Sequence, residues 1–248
     1  MASLPLAAET VPVRHAEGLV HGFLVLHNLE GEPLADGDLL QTARGDRVNT
    51  QLIFHFKDGS LHHETAIYSQ RGRFRLLSYH LVQKGPAFKH PMEMSIQAGG
   101  NVTVRYSDNG EEKVASDHLN LPADVANGVI LTLLKNIAPD APQTTVGFVA
   151  ATPKPRLVKL LITDQGEEPF STGTAARKAV HYVVRVQIGG LAGKLADWLG
   201  KEPPDNHVWI LTGPAPAFVK FEGPLFYGGP VWRIELVSPA WPHKPSTE

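Results

Sequence analysis

Apolar and polar residues alternate along most of the chain in short runs that are separated by glycine or proline. The 248 residues include 23 glycines and 20 prolines, so turns are expected at short intervals. The alternation is clearest at 178–188, where Val180 and Tyr182 occupy one face and His181 and Arg185 the other. A period of two buries one face of a strand and leaves the other in water, so the pattern predicts a mainly β protein.

Strands are predicted wherever the alternation is sustained, and most neighbouring strands are close enough in sequence to form hairpins. The predicted strands are residues 22–28, 47–56, 61–70, 73–84, 92–98, 102–106, 112–115, 144–150, 156–163, 178–188, 207–212, 217–222 and 231–237. An antiparallel sheet of about ten to fourteen strands must curl or split. We therefore expect one large, curved antiparallel sheet in the form of a half-barrel or a nearly closed barrel.

Two segments are predicted to be helical. Residues 122–137 place Val125 and Val129 on one apolar stripe, and the shorter segment 191–199 carries leucines at the same spacing. Residues 163–176 are rich in Gly, Ser, Thr and Glu and are predicted to be a loop. The expected architecture is thus a sheet with one main helix and one short helix.

One hairpin of the predicted sheet contains a candidate metal site. An Asp-Gly pair at 58–59 is typical of a two-residue turn, which would place His55 opposite His62, with Glu64 on the same face. Two imidazoles about 5 Å apart can hold one divalent transition metal, and Glu64 can add an oxygen ligand. The local sequence supplies no further strong ligand, although a zinc site needs three or four. The alternative is that these side chains form the solvated face of the hairpin, opposite Phe54.

The register of a second hairpin follows from its apolar residues. Strands 92–98 and 102–106 are predicted to pair through a three-residue loop at 99–101, which sets Ile96 opposite Val104. A two-residue loop would instead place apolar and polar side chains on the same face. We therefore predict the three-residue loop.

Composition excludes several classes of function. The chain has no cysteine, which rules out disulfides, thiolate metal sites and cysteine nucleophiles. It has 23 basic and 25 acidic residues, a net charge of −2, and no basic cluster, so neither nucleic acid nor an anionic membrane is an expected partner. Neither a nucleophile elbow nor a phosphate-binding loop is present. No linker or tandem repeat divides the chain, so residues 1–248 are expected to form one domain, with an internal seam, if any, near the main helix.

Large aromatic side chains are concentrated near the C-terminus, where all four tryptophans occur. Trp198, Trp209, Trp232 and Phe226 are therefore candidates for lining an apolar ligand cavity. The alternative is that they fill the core of a large sheet, which needs bulky side chains in any case. Only the position of each ring in the fold can distinguish these interpretations.

Several turn and strand-end motifs carry a resemblance to known proteins. They are Phe-Lys-Asp-Gly-Ser at 56–60, Leu-Pro-Ala-Asp at 121–124, Asn-Gly at 127–128, Glu-Gly-Pro-Leu at 222–225 and Gly-Pro-Val-Trp-Arg at 229–233. They resemble those of a set of uncharacterised exported bacterial proteins, which are similar in outline to periplasmic half-barrel carriers of lipids and lipoproteins. The resemblance implies a curved sheet that wraps over helices and encloses an apolar cavity. It implies no catalytic residue.

The same resemblance, together with a lead rich in Ala and Pro, leads us to expect an exported, periplasmic protein whose signal peptide is absent from this sequence. Residues 1–10 show no basic segment followed by an apolar run, and no stretch reaches the roughly eighteen apolar residues of a spanning helix. A cytoplasmic location is also compatible with these features, and the sequence does not indicate an oligomeric state.

Three functions follow from these observations. The first is binding of an apolar or amphipathic small molecule in the concavity of the sheet, without a cofactor. The second is a metal-dependent enzyme that uses His55, His62 and Glu64, with a divalent transition metal as cofactor. The third is a structural or interaction protein of the cell envelope. A hollow interior would favour the first.

Overall fold

The computed structural model describes residues 11–108, 110–172, 175–187 and 203–237. These residues form fourteen strands and one helix. The elements are β1 Val20–His27, β2 Pro33–Arg44, β3 Arg47–Phe56, β4 Leu61–Ser69, β5 Arg75–Lys84, β6 Met92–Gln97, β7 Asn101–Asp108, β8 Glu111–His118, α1 Ile130–Asn136, β9 Thr144–Ala150, β10 Arg156–Thr172, β11 Ala175–Gln187, β12 Asn206–Leu211, β13 Ala217–Gly223 and β14 Trp232–Val237. The short helix predicted at 191–199 lies outside the described residues.

All fourteen strands belong to one antiparallel sheet, with the order β8-β7-β6-β5-β4-β3-β2-β1-β14-β13-β12-β11-β10-β9. Strands that are consecutive in sequence are neighbours in the sheet, except where the connection through α1 leads from β8 to β9. The first and last strands pair with each other in the middle of the sheet. The prediction of a large, mainly antiparallel β fold is confirmed. No helix in the described part of the chain is long and apolar enough to cross a membrane.

The sheet is strongly curved but not closed. The side chain of Gln83 on β5 donates a hydrogen bond of 2.9 Å to the carbonyl of Leu225, which lies between β13 and β14. Five strands, β4, β3, β2, β1 and β14, separate these positions in the sheet, and a flat sheet would hold them more than about 20 Å apart. The ring of Phe56 likewise lies 5.4 Å from that of Trp232. Buried side chains from both halves of the sheet and from α1 form one hydrophobic cluster on the inner face.

The main helix is shorter than the predicted segment 122–137. Ala126 donates a backbone hydrogen bond of 2.8 Å to Gly147 on β9, and the Asn127 side chain both donates to and accepts from the backbone of Val149. This segment therefore covers the edge of β9 instead of forming helical hydrogen bonds. Gly128 follows with a φ of +66°, a left-handed conformation that also ends any helix there. The predicted apolar stripe is nevertheless buried, at Val125, Val129, Leu133 and Ile137.

The other edge of the sheet, β8, is protected by charge. It carries Glu111, Glu112, Lys113 and Asp117, and most of its residues are exposed. Charged side chains on an edge strand oppose pairing with another strand. The two edges of the sheet are thus protected by different means.

Two further segments differ from the sequence-based expectation. No strand was predicted at β2, because Asp36-Gly37-Asp38 has the composition of a turn. Gly37 is instead in contact with a ring: a Cβ atom there would lie 2.4 Å from Phe54. The predicted loop at 163–176 is wrong for its described residues, since 163–172 belong to β10 and 175–176 to β11, with a bulge at Gly166.

Candidate functional site

The hairpin between β3 and β4 determines which side chains face the interior. Phe56 donates a backbone hydrogen bond of 3.0 Å to the carbonyl of Ser60, and its own carbonyl accepts one of 3.0 Å from Gly59. The turn is therefore a three-residue loop, with Gly59 in the left-handed conformation at a φ of +84°. The Asp58 side chain stabilises it by accepting a hydrogen bond from the Ser60 amide. The predicted two-residue turn is wrong.

The longer loop shifts the pairing by one residue, which moves side chains between faces. His62 pairs with Phe54, and Glu64 pairs with Leu52. His62 and Glu64 point into the interior, whereas His55 is exposed on the outer face. The structure does not bring His55 together with His62 and Glu64. In the described ranges, no three His, Asp or Glu side chains have the arrangement of a metal site.

Glu64 lies in a row of inward-facing residues that crosses neighbouring strands. Gly22, Leu39, Leu52, Glu64 and Leu81 are successive partners on β1, β2, β3, β4 and β5. Glu64 is the charged member of this row. A carboxylate among apolar neighbours on the inner face of a sheet is costly unless it has a partner or a role.

The inner face and α1 enclose a cavity of about 650 Å³. Aliphatic and aromatic side chains form most of its wall: Leu24, Leu39, Leu52, Ile130, Leu131, Phe218, Phe221, Leu225, Ile234 and Leu236. Gly22 also lines it, and a Cβ atom at that position would approach Leu236 to 3.0 Å. The volume is in the range of small-molecule sites, which is roughly 300–1,000 Å³.

An ion pair forms one polar part of the cavity wall. Lys135 on α1 contacts the carboxylate of Glu17, and the two side chains are only 11% and 7% exposed. The backbone amide of Glu17 donates to Gln70 at 2.7 Å, which holds this segment against the sheet. The charge of Lys135 is therefore already balanced by Glu17.

Glu64 forms the second polar part of the cavity wall. Its side chain is 21% exposed, and its Oε2 lies 3.7 Å from Nε2 of His62, beyond hydrogen-bond distance. His62 is 2% exposed, and its Nδ1 lies 3.1 Å from Nε2 of Gln83. In the described part of the chain, His62 Nε2 has no hydrogen-bond partner, and no Lys or Arg lies within 4 Å of Glu64.

The predicted aromatic ligand residues lie elsewhere. Trp232 and Phe226 pack against each other with ring centroids 5.9 Å apart, and both contact Phe88. This aromatic cluster is next to the cavity but does not line it. Trp198 lies outside the described residues.

Trp209 belongs to a polar cluster on the outer face, which we call the outer ladder: Glu168, His181, His207, Trp209 and Lys220. Glu168 accepts from Trp209 at 2.8 Å and contacts His181 Nδ1 at 2.9 Å. His181 Nε2 lies 2.9 Å from His207 Nδ1, and Lys220 lies 4.0 Å from the centre of the Trp209 ring. The Trp209 hydrogen bond, together with the neighbouring His181, holds the pKa of Glu168 below its usual value.

Sequence reasoning grouped Glu64 with His55 and His62 as candidate metal ligands, and of these two histidines His62 lies near Glu64, whereas His55 lies on the other face. It missed Glu17 and Lys135, because nothing in the local sequence shows that these distant residues meet. It also missed Ile130 and Leu131 as cavity residues, since the predicted stripe marked only positions that are buried in the core. For Glu64 the sequence did contain a signal: a charged residue at an inward-facing position of an alternating strand indicates a polar group in the interior.

Comparison with known proteins identifies no family. No protein-family model matches the chain, and no curated protein matches it. The chain is similar to one solved structure, the β-barrel-like protein of domain of unknown function DUF1849 from Brucella abortus, with a TM-score of 0.49 and 10% sequence identity. The match covers 93% of this chain and 98% of that one. No residue role or activity is transferred from it.

Proposed function

We propose that this protein binds an apolar or amphipathic small molecule in the cavity between α1 and the inner face of the sheet. The observation that carries the proposal is a cavity of about 650 Å³ whose walls are mostly aliphatic and aromatic. Protein cores are normally packed as densely as organic crystals, with few voids larger than a water molecule. A space of this size therefore suits a ligand better than it suits a core.

The proposal extends to the class of protein that the turn motifs resemble. Periplasmic half-barrel carriers hold lipids or lipoproteins under a curved sheet, and export of this chain to the periplasm is part of the same proposal. The metal-dependent alternative has less support, because its two histidines lie on opposite faces of the hairpin.

A neutral apolar dye tests the binding function. N-Phenyl-1-naphthylamine fluoresces when it leaves water, and we expect the full chain to bind it saturably. Val20→Trp places a large ring in the cavity wall, and we expect it to weaken dye binding at least tenfold.

Val25→Trp is the matched control, because Val25 lies on the same strand but is absent from the cavity wall. We expect this variant to bind the dye as the parent does. An equal loss in both variants, or no saturable binding by the parent, would contradict the proposal. Native mass spectrometry of the protein as purified would show whether it carries a ligand from the cell.

A further inference from the structure

We propose that the ligand of this cavity is an amphiphile with a basic, amine-type head group, and that Glu64 is the residue that binds the head. This inference rests on the proposed function and specifies its ligand class. It depends on the charges of the cavity wall, on the hydrogen bonds of His62 and on the position of Glu64 among apolar neighbours.

The charged groups of the cavity wall do not balance. Lys135 and Glu17 neutralise each other, whereas Glu64 contributes a second carboxylate. Together these three side chains carry one net negative charge. A carboxylate in a largely apolar enclosure is strongly disfavoured unless a positive charge or hydrogen-bond donors accompany it.

His62 does not supply that positive charge in its neutral form, and its hydrogen bonds determine its tautomer. Gln83 Nε2 lies 2.9 Å from the Leu225 carbonyl, which can only accept, so this atom is the amide NH₂ group. The same NH₂ group donates to His62 Nδ1 at 3.1 Å. The neutral imidazole therefore carries its proton on Nε2, which faces Glu64 at 3.7 Å. His62 orients a dipole toward Glu64 but leaves its charge uncompensated.

The neighbours of Glu64 on the adjacent strands are the apolar residues Leu52 and Leu81. Complete burial raises the pKa of Tyr79 well above its usual value, and the negative charge of Glu64 adds to this rise, so Tyr79 stays a neutral phenol. A ligand ammonium group at Glu64 would form a charge-assisted hydrogen bond in a largely desolvated site. A ligand carboxylate would be repelled by Glu64 and would find Lys135 already paired.

Three ligands that share one alkyl chain test the head-group preference. Decylamine, 1-decanol and decanoate are each titrated against the bound dye at pH 7, where the amine is cationic and the acid anionic. We expect decylamine to displace the dye at a concentration at least tenfold below that of decanol, and decanoate to be the weakest. Glu64→Gln should reduce the affinity for decylamine at least tenfold and change that for decanol less than twofold.

Glu93→Gln is the matched control, since Glu93 pairs with His80 at 2.9 Å and does not line the cavity. It should leave all three affinities unchanged. Should Glu64→Gln fail to fold by circular dichroism, the order of the three ligands on the parent decides the question. Dye binding without a preference for decylamine over decanoate would overturn the inference and leave the proposed function standing. Absence of dye binding by the parent would overturn the proposed function itself.

Discussion

The cavity wall and the outer ladder are both groups of charged and polar side chains, but they differ in how their members are paired. On the outer ladder Glu168 is bound by both His181 and Trp209, and His181 is bound in turn by His207. In the cavity wall, Glu17 and Lys135 pair with each other, and Glu64 has only the long contact to His62 among the described residues. The ladder completes its own hydrogen bonds, as structural networks do, whereas the cavity retains an unbalanced charge. This difference, and not the number of polar residues, marks the cavity as the candidate site.

The strongest test of this comparison is to break one buried and one exposed ion pair. Lys135→Met leaves the buried carboxylate of Glu17 without its partner, and we expect a loss of about 3–5 kcal/mol in the free energy of unfolding. Lys178→Met breaks the exposed pair with Glu167, whose side chains are 69% and 44% exposed, and should cost less than about 1 kcal/mol. Urea unfolding at pH 7 measures both.

The double variant Glu17→Gln/Lys135→Met controls for the lost lysine packing. It removes both charges, so we expect it to recover most of the stability that Lys135→Met loses. Equal losses for Lys135→Met and Lys178→Met would show that the inner pair is not desolvated as the structure indicates.

A smaller effect tests the packing of the inner face. Gly37→Ala would place a Cβ atom 2.4 Å from the ring of Phe54, and we expect a loss of about 1–3 kcal/mol from the resulting overpacking. Gly18→Ala is the control, because no atom lies within 4 Å of the added carbon. Thermal unfolding should separate the two variants. Identical melting temperatures would mean that β2 does not lie against Phe54.

The smallest expected effect concerns the outer ladder and depends on pH. Because the pKa of Glu168 is lowered in the folded protein, its carboxylate adds stability that is present above the usual carboxyl pKa and is lost as the pH falls through the folded-state value. Glu168→Gln should therefore cost under about 1 kcal/mol at pH 7, since the group is largely exposed, and almost nothing in strong acid. Urea midpoints at pH 7 and pH 2.5 test this, and a loss that is independent of pH would contradict it.

The fold class was predictable from the sequence because successive side chains of a strand point to opposite faces of the sheet, so half-buried strands show apolar residues with a period of two. Register was less predictable, and the two hairpins show why. At β6–β7 the loop has the predicted three residues but lies one position earlier, so Ile96 pairs with Val102 instead of Val104. The pairing partner is therefore shifted by two residues, which leaves every side chain on the expected face of the sheet. At β3–β4 the pairing is shifted by one residue, which places His62 and Glu64 in the interior instead of on the predicted outer face.

The candidate site was less predictable than the fold, since its parts come from distant segments. Glu64 was predicted as a metal ligand beside His55 and His62, but its neighbours in space depend on the turn at Gly59. Lys135 and Glu17 meet only because α1 is folded under the sheet. The segment that begins the predicted helix was misassigned for a similar reason, since Ala126 and Asn127 form hydrogen bonds with β9, and the Val129 amide donates to Ala126 in a turn and not to a residue four positions earlier.

The unequal protection of the two sheet edges has a consequence for self-association. Along β9 the groups that another strand would use are in part already occupied by Ala126 and by the amide side chain of Asn127, whereas β8, among the described residues, is protected by the repulsion of Glu111, Glu112 and Asp117. If those acidic charges were neutralised, two copies could join through β8 in a symmetric pair. In that pair the remaining free edge of each copy would be β9, which Ala126 and Asn127 partly cover. Assembly would therefore stop at a dimer and would not continue into a fibre.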